Sequence, residues 1–440
     1  MKIVLLLALV LGGSIQPLTA VTLDEVLAQT LEKNPRILEA KTGLEAAAGE
    51  RLILRSVALP EGLVGGLAGA QGGRRSRTSS TQPFAFAYGS FRQPIFHAGS
   101  PASFRRGDIS LLIAQQQLNV TVVEELHKAR LAFYRALYNR SLESLGRAQR
   151  ERLEENIAGE KARYEAGQSE RGAFTAATLQ ARELNPKIES ARNASGAASL
   201  QLAESMGGAL GRGATLPAPV GSLEFQSVEL HWRDELEAAL QRRVDLKLAR
   251  LLVRAADEDQ RIIEAGYYPA LDAVASGEAI PVSGIHRDSG GSPQSSDDTV
   301  ASEVRGGAAY TWRVIDNGEV GGAVARQRAA RETNELQLQK LEANVPRELE
   351  RLQNNLAAIA ARYRSLAQAA DVAERNVASV QENRANGLAS ILDFRTAESS
   401  LLINRRGILT AIFEQEITLA EWDRATGRYF QFSDMAATVR

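Results

Sequence analysis

The sequence contains no cysteine and only 4 histidines among its 440 residues. Without cysteine, disulfide bonds, thiol catalysis, cysteine metal sites and a lipid-modified N-terminal cysteine are excluded. The histidines are far apart and show no ligand spacing, and no carboxylate cluster has catalytic spacing. We therefore expect neither an enzyme nor a bound metal or cofactor. The histidines are His97, His127, His231 and His286.

An excess of charge of one sign is also lacking, since 52 basic residues stand against 53 acidic ones. This balance gives no indication of a nucleic-acid partner. Long apolar runs are absent from the interior of the chain, where none reaches the ~18 residues typical of a membrane-spanning helix.

The N-terminus has the pattern of a secretory signal peptide. Lys2 supplies positive charge, Ile3 to Gly13 form an apolar core, and Pro17 to Ala20 provide a plausible cleavage site. We predict a signal peptide over residues 1–20 and a mature chain outside the cytoplasm. A short buried helix is the alternative interpretation.

Two narrow apolar seams at helical spacing dominate the rest of the chain. One runs from Leu338 to Val380, with steps that alternate almost throughout between three and four residues, and a matching seam runs from Val123 to Ile157. Each seam is followed by a glycine, Gly387 or Gly167, and then by a further helical stretch. These patterns predict two long helical hairpins, and narrow seams of this kind require neighbouring helices.

Two other stretches show the period of two that is typical of strands. In the first, Phe84, Phe86 and Tyr88 alternate with small residues. In the second, Tyr310 and Trp312 share an apolar face, while a polar face carries Glu303, Arg305 and Arg313. Each stretch is predicted to be the returning strand of a β-hairpin with a long loop.

The order of these elements occurs twice, which indicates an internal duplication. A gapless alignment of the two halves of the sequence that matches Leu31 with Leu240 also matches Ile53 with Ile262 and Pro60 with Pro269. We predict repeat 1 over 21–206 (strands about 62–96, helical hairpin about 100–206), a linker over 207–230, repeat 2 over 231–430 (strands about 270–316, helical hairpin about 319–430) and a C-terminal tail over 431–440.

Four strands cannot close a barrel, because small membrane barrels need at least ~8 strands. Apolar and polar residues alternate as they do between lipid and a water-filled lumen, and in lipid every backbone group must be paired. We therefore expect several copies of the chain to close one mixed β and α barrel. A soluble β-sandwich with attached hairpins is the alternative.

In this order of elements the chain resembles the TolC-type outer-membrane efflux proteins. The resemblance is carried by the duplication, by Tyr268 to Leu271 at a helix-to-strand junction, and by Asn386 to Glu398 after the second long helix. It implies a mainly α fold with membrane β structure. Three copies would form a twelve-strand β-barrel that continues into a twelve-helix α-barrel in the periplasm.

The resemblance also implies a function and sites. The protein would be the outer-membrane exit duct of a tripartite efflux or type I secretion system, docking to a periplasmic adaptor and an inner-membrane pump. Asp393 would be a gate residue, although Ser390 and Asp393 also fit a helix-capping box. Adaptor docking would involve the helix turns, namely Gly167, Gln168, Ser169, Gly387, Leu388, Ala389 and Ser390.

The strand residues receive roles in the same interpretation. Glu303, Arg305 and Arg313 would face the barrel lumen, and the aromatics Phe84, Phe86, Tyr88, Tyr310 and Trp312 would face lipid. A periplasmic adaptor, or a coiled-coil scaffold without a pore, is the alternative function. Drugs, metal ions, siderophores and secreted polypeptides all remain open as cargo.

Overall fold

The computed structural model describes residues 20–75, 78–167, 170–208, 216–282 and 299–432. The predicted signal peptide therefore lies almost entirely outside the described residues. The described elements follow in chain order: β1 Ala20–Val21, α1 Leu23–Lys33, α2 Pro35–Ser56, β2 Glu61–Arg75, β3 Thr78–Phe96, α3 Ser100–Glu165, α4 Arg171–Ser205, β4 Ala218–Pro219, α5 Trp232–Arg242, α6 Val244–Glu264, β5 Ala270–Val282, β6 Thr299–Thr311, α7 Glu319–Ala385 and α8 Ile391–Ala425.

The chain forms two compact units that do not coincide with the sequence repeats. Of the described residues, those within 20–42, 117–247 and 340–432 form unit 1, and those within 43–116 and 248–339 form unit 2. Each unit takes segments from both repeats, because the long helices α3 and α7 each pass from one unit into the other.

The repeats share a helix break that is built differently in each copy. In repeat 1, Asn34 separates α1 from α2, and its side-chain amide donates to the carbonyl of Ser205 at the end of α4, 3.0 Å away. In repeat 2, Arg243 separates α5 from α6, and its guanidinium donates to the carbonyl of Ala425 at the end of α8. The sequence indicated the first break through Pro35 but not the second, which contains no proline.

A left-handed glycine follows the return helix of each hairpin. Gly207 has a φ of 72° and Gly427 a φ of 70°. A Cβ atom on Gly207 would lie 2.3 Å from the carbonyl oxygen of Lys33, and one on Gly427 would lie 2.9 Å from the Cβ of Arg242. Both positions therefore require glycine for the backbone conformation and for the close approach.

The four long strands form one antiparallel sheet in unit 2, in the order β2-β3-β5-β6. β2 and β6 are the edge strands of this sheet. In unit 1 the short strands β1 and β4 pair in parallel, which the sequence did not indicate.

The helical seams are largely buried within a single chain. Val345, Leu349 and Leu352 of α7 are at most 1% exposed. Further along α7, Ala373 and Val377 pack in one cluster with residues of α8. For this part of α7 the chain itself supplies the neighbouring helices that the narrow seam was predicted to require.

Proline does not end the long helices. Pro186 lies inside α4 and Pro346 inside α7, and both helices continue through these positions. Among the described helices, none is both long enough and apolar enough to cross a membrane.

Candidate functional site

The sheet of unit 2 has two chemically different faces, and the register defines both. One row of paired residues crosses all four strands through Gly65, Tyr88, Glu278 and Glu303. Directly paired residues lie on the same side of a sheet. The face that carries this row also carries Arg92, Asp272 and Arg305, and we call it the polar face.

The residues that alternate with those of the polar face form the opposite face, which we call the apolar face. It carries no charged residue on β2 from Gly62 to Ala70 or at the β3 positions paired with these residues. It also carries none on β5 from Leu271 to Ala279 or on β6 from Ser302 to Tyr310. Its large side chains are strongly exposed, with Val64 at 91% and Val304 at 83%. Surface of this kind is normally covered by lipid or by another protein.

Ion pairs organise the polar face. The guanidinium of Arg305 contacts both carboxylate oxygens of Glu303, at 2.7 and 2.8 Å. Arg92 binds the buried Asp272 on the next strand through two hydrogen bonds of 3.0 and 2.7 Å. Glu278, which is paired with Glu303 across the strands, forms no ion pair among the described residues.

The register changes the expected roles of the aromatic residues. Phe86 and Tyr88 lie on the polar face together with Glu303. These aromatics therefore cannot face lipid if the charged residues face the lumen, as was expected from the sequence. The ring of Tyr88 lies over Gly65, where a Cβ atom would be 2.4 Å from the ring. Alternation in β3 identified one aromatic face, but only cross-strand pairing shows which residues share it. The side chain of Phe84 lies outside the described residues.

Tyr310 lies on the apolar face, opposite Leu271. Trp312 and Arg313 come after the end of β6 at Thr311. The indole of Trp312 donates to the carbonyl of Tyr267, and Arg313 pairs with Glu319 in the first turn of α7. Arg313 is therefore not a strand residue, because β6 ends before the predicted limit near residue 316.

In unit 1 the two hairpin turns contain glycines in the left-handed conformation. Gly167 has a φ of 69° and Gly387 a φ of 73°, and a Cβ atom on either would meet open space. Leu388, next to the second turn, is 78% exposed. Gln168 and Ser169, which were also predicted to contribute to docking, lie outside the described residues.

Asp393 forms the capping box that was one of its two predicted roles. Its carboxylate accepts from the backbone N–H of Ser390 at 2.9 Å and from the Ser390 hydroxyl at 2.7 Å. The backbone N–H of Asp393 donates to the Ser390 hydroxyl in return. These hydrogen bonds from Ser390 lower the pKa of the Asp393 carboxyl, which is exposed to solvent.

A buried ion pair next to the turns was missed from the sequence. Arg384 of α7 pairs with Glu160 of α3, and its guanidinium also donates to Asn156 at 2.8 Å and lies over the ring of Phe394. Desolvation by burial lowers the pKa of Arg384. A signal was present, because Arg384 follows Val380 at seam spacing, where an apolar residue is expected.

A second contact between the hairpins involves the helix end itself. The guanidinium of Arg163, in the last turn of α3, donates to the carbonyls of Arg384 and Ala385 at 3.2 Å each. These carbonyls end α7, where a cation is favourable, and the carbonyl of Arg384 also accepts from the backbone N–H of Gly387 at 3.1 Å. The first hairpin therefore caps the long helix of the second.

Residues 236–428 match the family model described as outer membrane efflux protein. The chain carries an outer membrane efflux protein domain. This match confirms the resemblance inferred from the sequence, and with it the localisation in the outer membrane with a long helical part in the periplasm. The family is one of efflux channels, not of enzymes.

Solved structures share the fold of this outer membrane efflux protein domain and of most of the chain. VceC from Vibrio cholerae has a TM-score of 0.75 at 18% identity, over 92% of this chain and 96% of that chain. The CmeC channel of Campylobacter jejuni has a TM-score of 0.79 at 13% identity, with 94% and 87% covered. The open MtrE channel of Neisseria gonorrhoeae has a TM-score of 0.70 at 16% identity, with 92% and 88% covered. No curated protein matches the chain.

Proposed function

We propose that three copies of the chain form an outer-membrane exit duct of a tripartite efflux or type I secretion system. The duct is passive and docks at its helix turns to a periplasmic adaptor that is joined to an inner-membrane pump. The observation that carries the proposal is the apolar face, where Val64 and Val304 have no covering partner within the described part of the chain.

The dimensions and edges of the sheet support this proposal. The strands have 13 to 19 residues, whereas a tilted membrane strand needs ~9–11. Backbone groups must be paired in lipid, so the edges formed by β2 and β6 require partners. Neighbouring strands in the sheet are antiparallel, so β6 of one copy can pair in antiparallel fashion with β2 of the next. Three copies then close twelve strands.

In this arrangement the apolar face contacts lipid and the polar face lines the lumen. Tyr310 belongs to the lipid-facing set, whereas Tyr88 and Phe86 belong to the lumen together with Glu303 and Arg305. The contacts of Arg384 and Arg163 hold the two hairpins of each copy together at the turns, which form the periplasmic entrance. The exposed Leu388 is available there for the adaptor.

A pair of neighbouring glycines tests the assignment of the faces. Gly306 lies on the apolar face and Gly307 on the polar face, and neither has an atom closer than 3.9 Å to a built Cβ. Gly306→Arg places a charge in lipid, at a cost of ~2–4 kcal/mol near the membrane centre. We expect it to reduce the detergent-extractable, SDS-resistant trimer in the outer membrane, while Gly307→Arg assembles normally.

Membrane fractionation and conductance in planar bilayers complete the test. The duct requires a trimer in the outer membrane that conducts ions. A water-soluble protein in the periplasm would instead support the adaptor or scaffold alternative. Equal trimer yields of the two arginine variants would contradict the assignment of the faces.

A further inference from the structure

The polar face of the sheet in unit 2 has two halves of different chemistry. On β2 this face carries no charged residue from Leu63 to Leu67, and it carries none at the β3 positions paired with this stretch. The large side chains of this half, which we call the aromatic patch, are Leu63, Leu67, Phe86 and Tyr88. In the same rows of paired residues, β5 and β6 carry the charged residues Glu278, Glu303 and Arg305.

The aromatic patch is open on its outer side. The ring of Tyr88 lies over Gly65, where a Cβ atom would be 2.4 Å from the ring carbon Cζ, so only glycine lets the ring cover β2 in this way. Tyr88 is nevertheless 41% exposed, and Leu63 and Leu67 are about half exposed. The ring of Phe86 follows at 6.0 Å between centroids, tilted by 39°. Two rings and two leucines therefore present apolar surface on a face that also carries charge.

A carboxylate without an ion-pair partner among the described residues lies beside this patch. Glu278 is paired directly with Tyr88, and neighbouring strands are ~4.8 Å apart. On its other side Glu278 is paired with Glu303, which binds the guanidinium of Arg305 at 2.7 and 2.8 Å. Carboxylates directly opposite each other repel, and one arginine compensates only one of them. One negative charge therefore remains next to the aromatic patch.

A ligand that fits this arrangement combines a positive charge with an apolar group. The faces of aromatic rings attract cations, and quaternary ammonium groups are recognised in this way. The carboxylate of Glu278 attracts the same charge and repels anions. An organic cation also removes apolar surface from water when it contacts the leucines and rings, which a hydrated metal ion does not.

We propose that the aromatic patch and Glu278 form a binding site for hydrophobic organic cations, namely ammonium ions that carry an aromatic or alkyl group. The charge lies between the Glu278 carboxylate and the ring of Tyr88, and the apolar group lies on the aromatic patch. The inference rests on the proposed duct, in which the polar face lines the lumen, so that cargo passes three copies of this organic-cation site.

Benzyltrimethylammonium is the probe for this site, and benzyl alcohol is its uncharged control. The dissociation constant of each for the trimer in a nonionic detergent is measured by saturation-transfer NMR, and the conductance of the same preparation is measured in planar bilayers. We expect benzyltrimethylammonium to bind about ten-fold or more tightly than benzyl alcohol. Equal binding of the two probes would overturn the site as one for cations.

Variants separate the contributions of the carboxylate and the ring. Glu278→Gln should raise the dissociation constant of benzyltrimethylammonium about five-fold or more, because the Coulomb attraction is lost. Tyr88→Leu should raise it about three-fold or more, and Tyr88→Phe should raise it less, because the ring face is retained. Phe86→Leu repeats the measurement at the second ring, so that the test does not depend on the assembly of a single variant.

The matched control is Phe91→Leu, because Phe91 lies on the same strand as Tyr88 but on the apolar face and is 48% exposed. This variant should leave the dissociation constant unchanged, and a loss as large as that of Tyr88→Leu would overturn the site. Unchanged binding in both Tyr88→Leu and Glu278→Gln, in a trimer that conducts, overturns the site but leaves the duct intact. A native trimer that fails to conduct overturns the duct, and with it the passage of cargo over the site.

Discussion

Arg384 forms a buried ion pair with Glu160, and this pair joins the long helices of the two hairpins beside their turns. The side chains of Arg384 and Glu160 are 10% and 5% exposed. Removing one partner of a buried pair leaves an uncompensated charge, whereas replacing both by neutral groups is often tolerated.

We expect Glu160→Gln to lower the free energy of unfolding of the helical part by about 3 kcal/mol. The double variant Glu160→Gln with Arg384→Met should recover most of this loss, because it leaves no buried charge unpaired. Arg163, which also pairs with Glu160 at 3.7 Å, is 34% exposed and can be hydrated. Urea unfolding in detergent, followed by circular dichroism, measures the free energy of unfolding of the single and the double variant. A double variant that is less stable than the single one would show that Arg384 is stabilised mainly by its other contacts, with Asn156 and Phe394.

Asp393→Asn tests whether the capping carboxylate also acts in the pore. In the proposed trimer three Asp393 carboxylates attract cations at the entrance, so the variant should reduce the block of the pore by divalent cations in planar bilayers. Ser390→Ala is the control, because it weakens the capping box and keeps the charge. An unchanged block in Asp393→Asn would mean that this acid serves only as a helix cap.

The pH dependence of the cap has a defined sign. Hydrogen bonding to Ser390 lowers the pKa of Asp393 below its usual 3.8. The cap therefore stabilises the start of α8 at neutral pH, and this contribution is lost as the pH falls through the lowered pKa. In the native protein, hydrogen exchange of the first turn of α8 should become faster when the pH falls through the lowered pKa of Asp393. In Ser390→Ala, which weakens the cap, this exchange should already be faster at neutral pH.

Two glycines with nearly the same backbone conformation should respond differently to substitution. Gly207 and Gly387 have φ values of 72° and 73°, but only Gly207 faces a backbone atom within 4 Å. Gly387→Ala should cost about 1–2 kcal/mol for the left-handed conformation alone. Gly207→Ala adds a clash with the Lys33 carbonyl and should lower the melting temperature considerably more. Equal losses would contradict the close approach of the chain at Gly207.

The polar face predicts the ion selectivity of the duct. Glu278 has no ion-pair partner among the described residues, whereas Glu303 is paired with Arg305. Glu278→Gln should therefore reduce the preference for cations, and Glu303→Gln should reduce it further because it also releases the charge of Arg305. Reversal potentials in a salt gradient measure this preference. Unchanged potentials in both variants would place the polar face outside the lumen.

The sequence by itself determined the features that depend on local periodicity. The seams predicted the long helices, Pro35 predicted the first helix break, Gly167 and Gly387 marked the turns, and alternation identified strands with two faces. Each signal lies within a few residues along the chain, where helix and strand geometry impose a period. The family resemblance followed from the order of these elements.

Only the tertiary structure decided what depends on contacts between distant segments. The cross-strand register placed Tyr88 beside Glu278, the packing of the hairpins buried Arg384 against Glu160, and the backbone of Gln226 bonded to the side chain of Gln415. Periodicity assigns a residue to a face of its own element, but not to the partner of that face. The partner is set by strand pairing and helix packing between segments that are far apart in the sequence. Gln226 and Gln415, for example, are 189 residues apart.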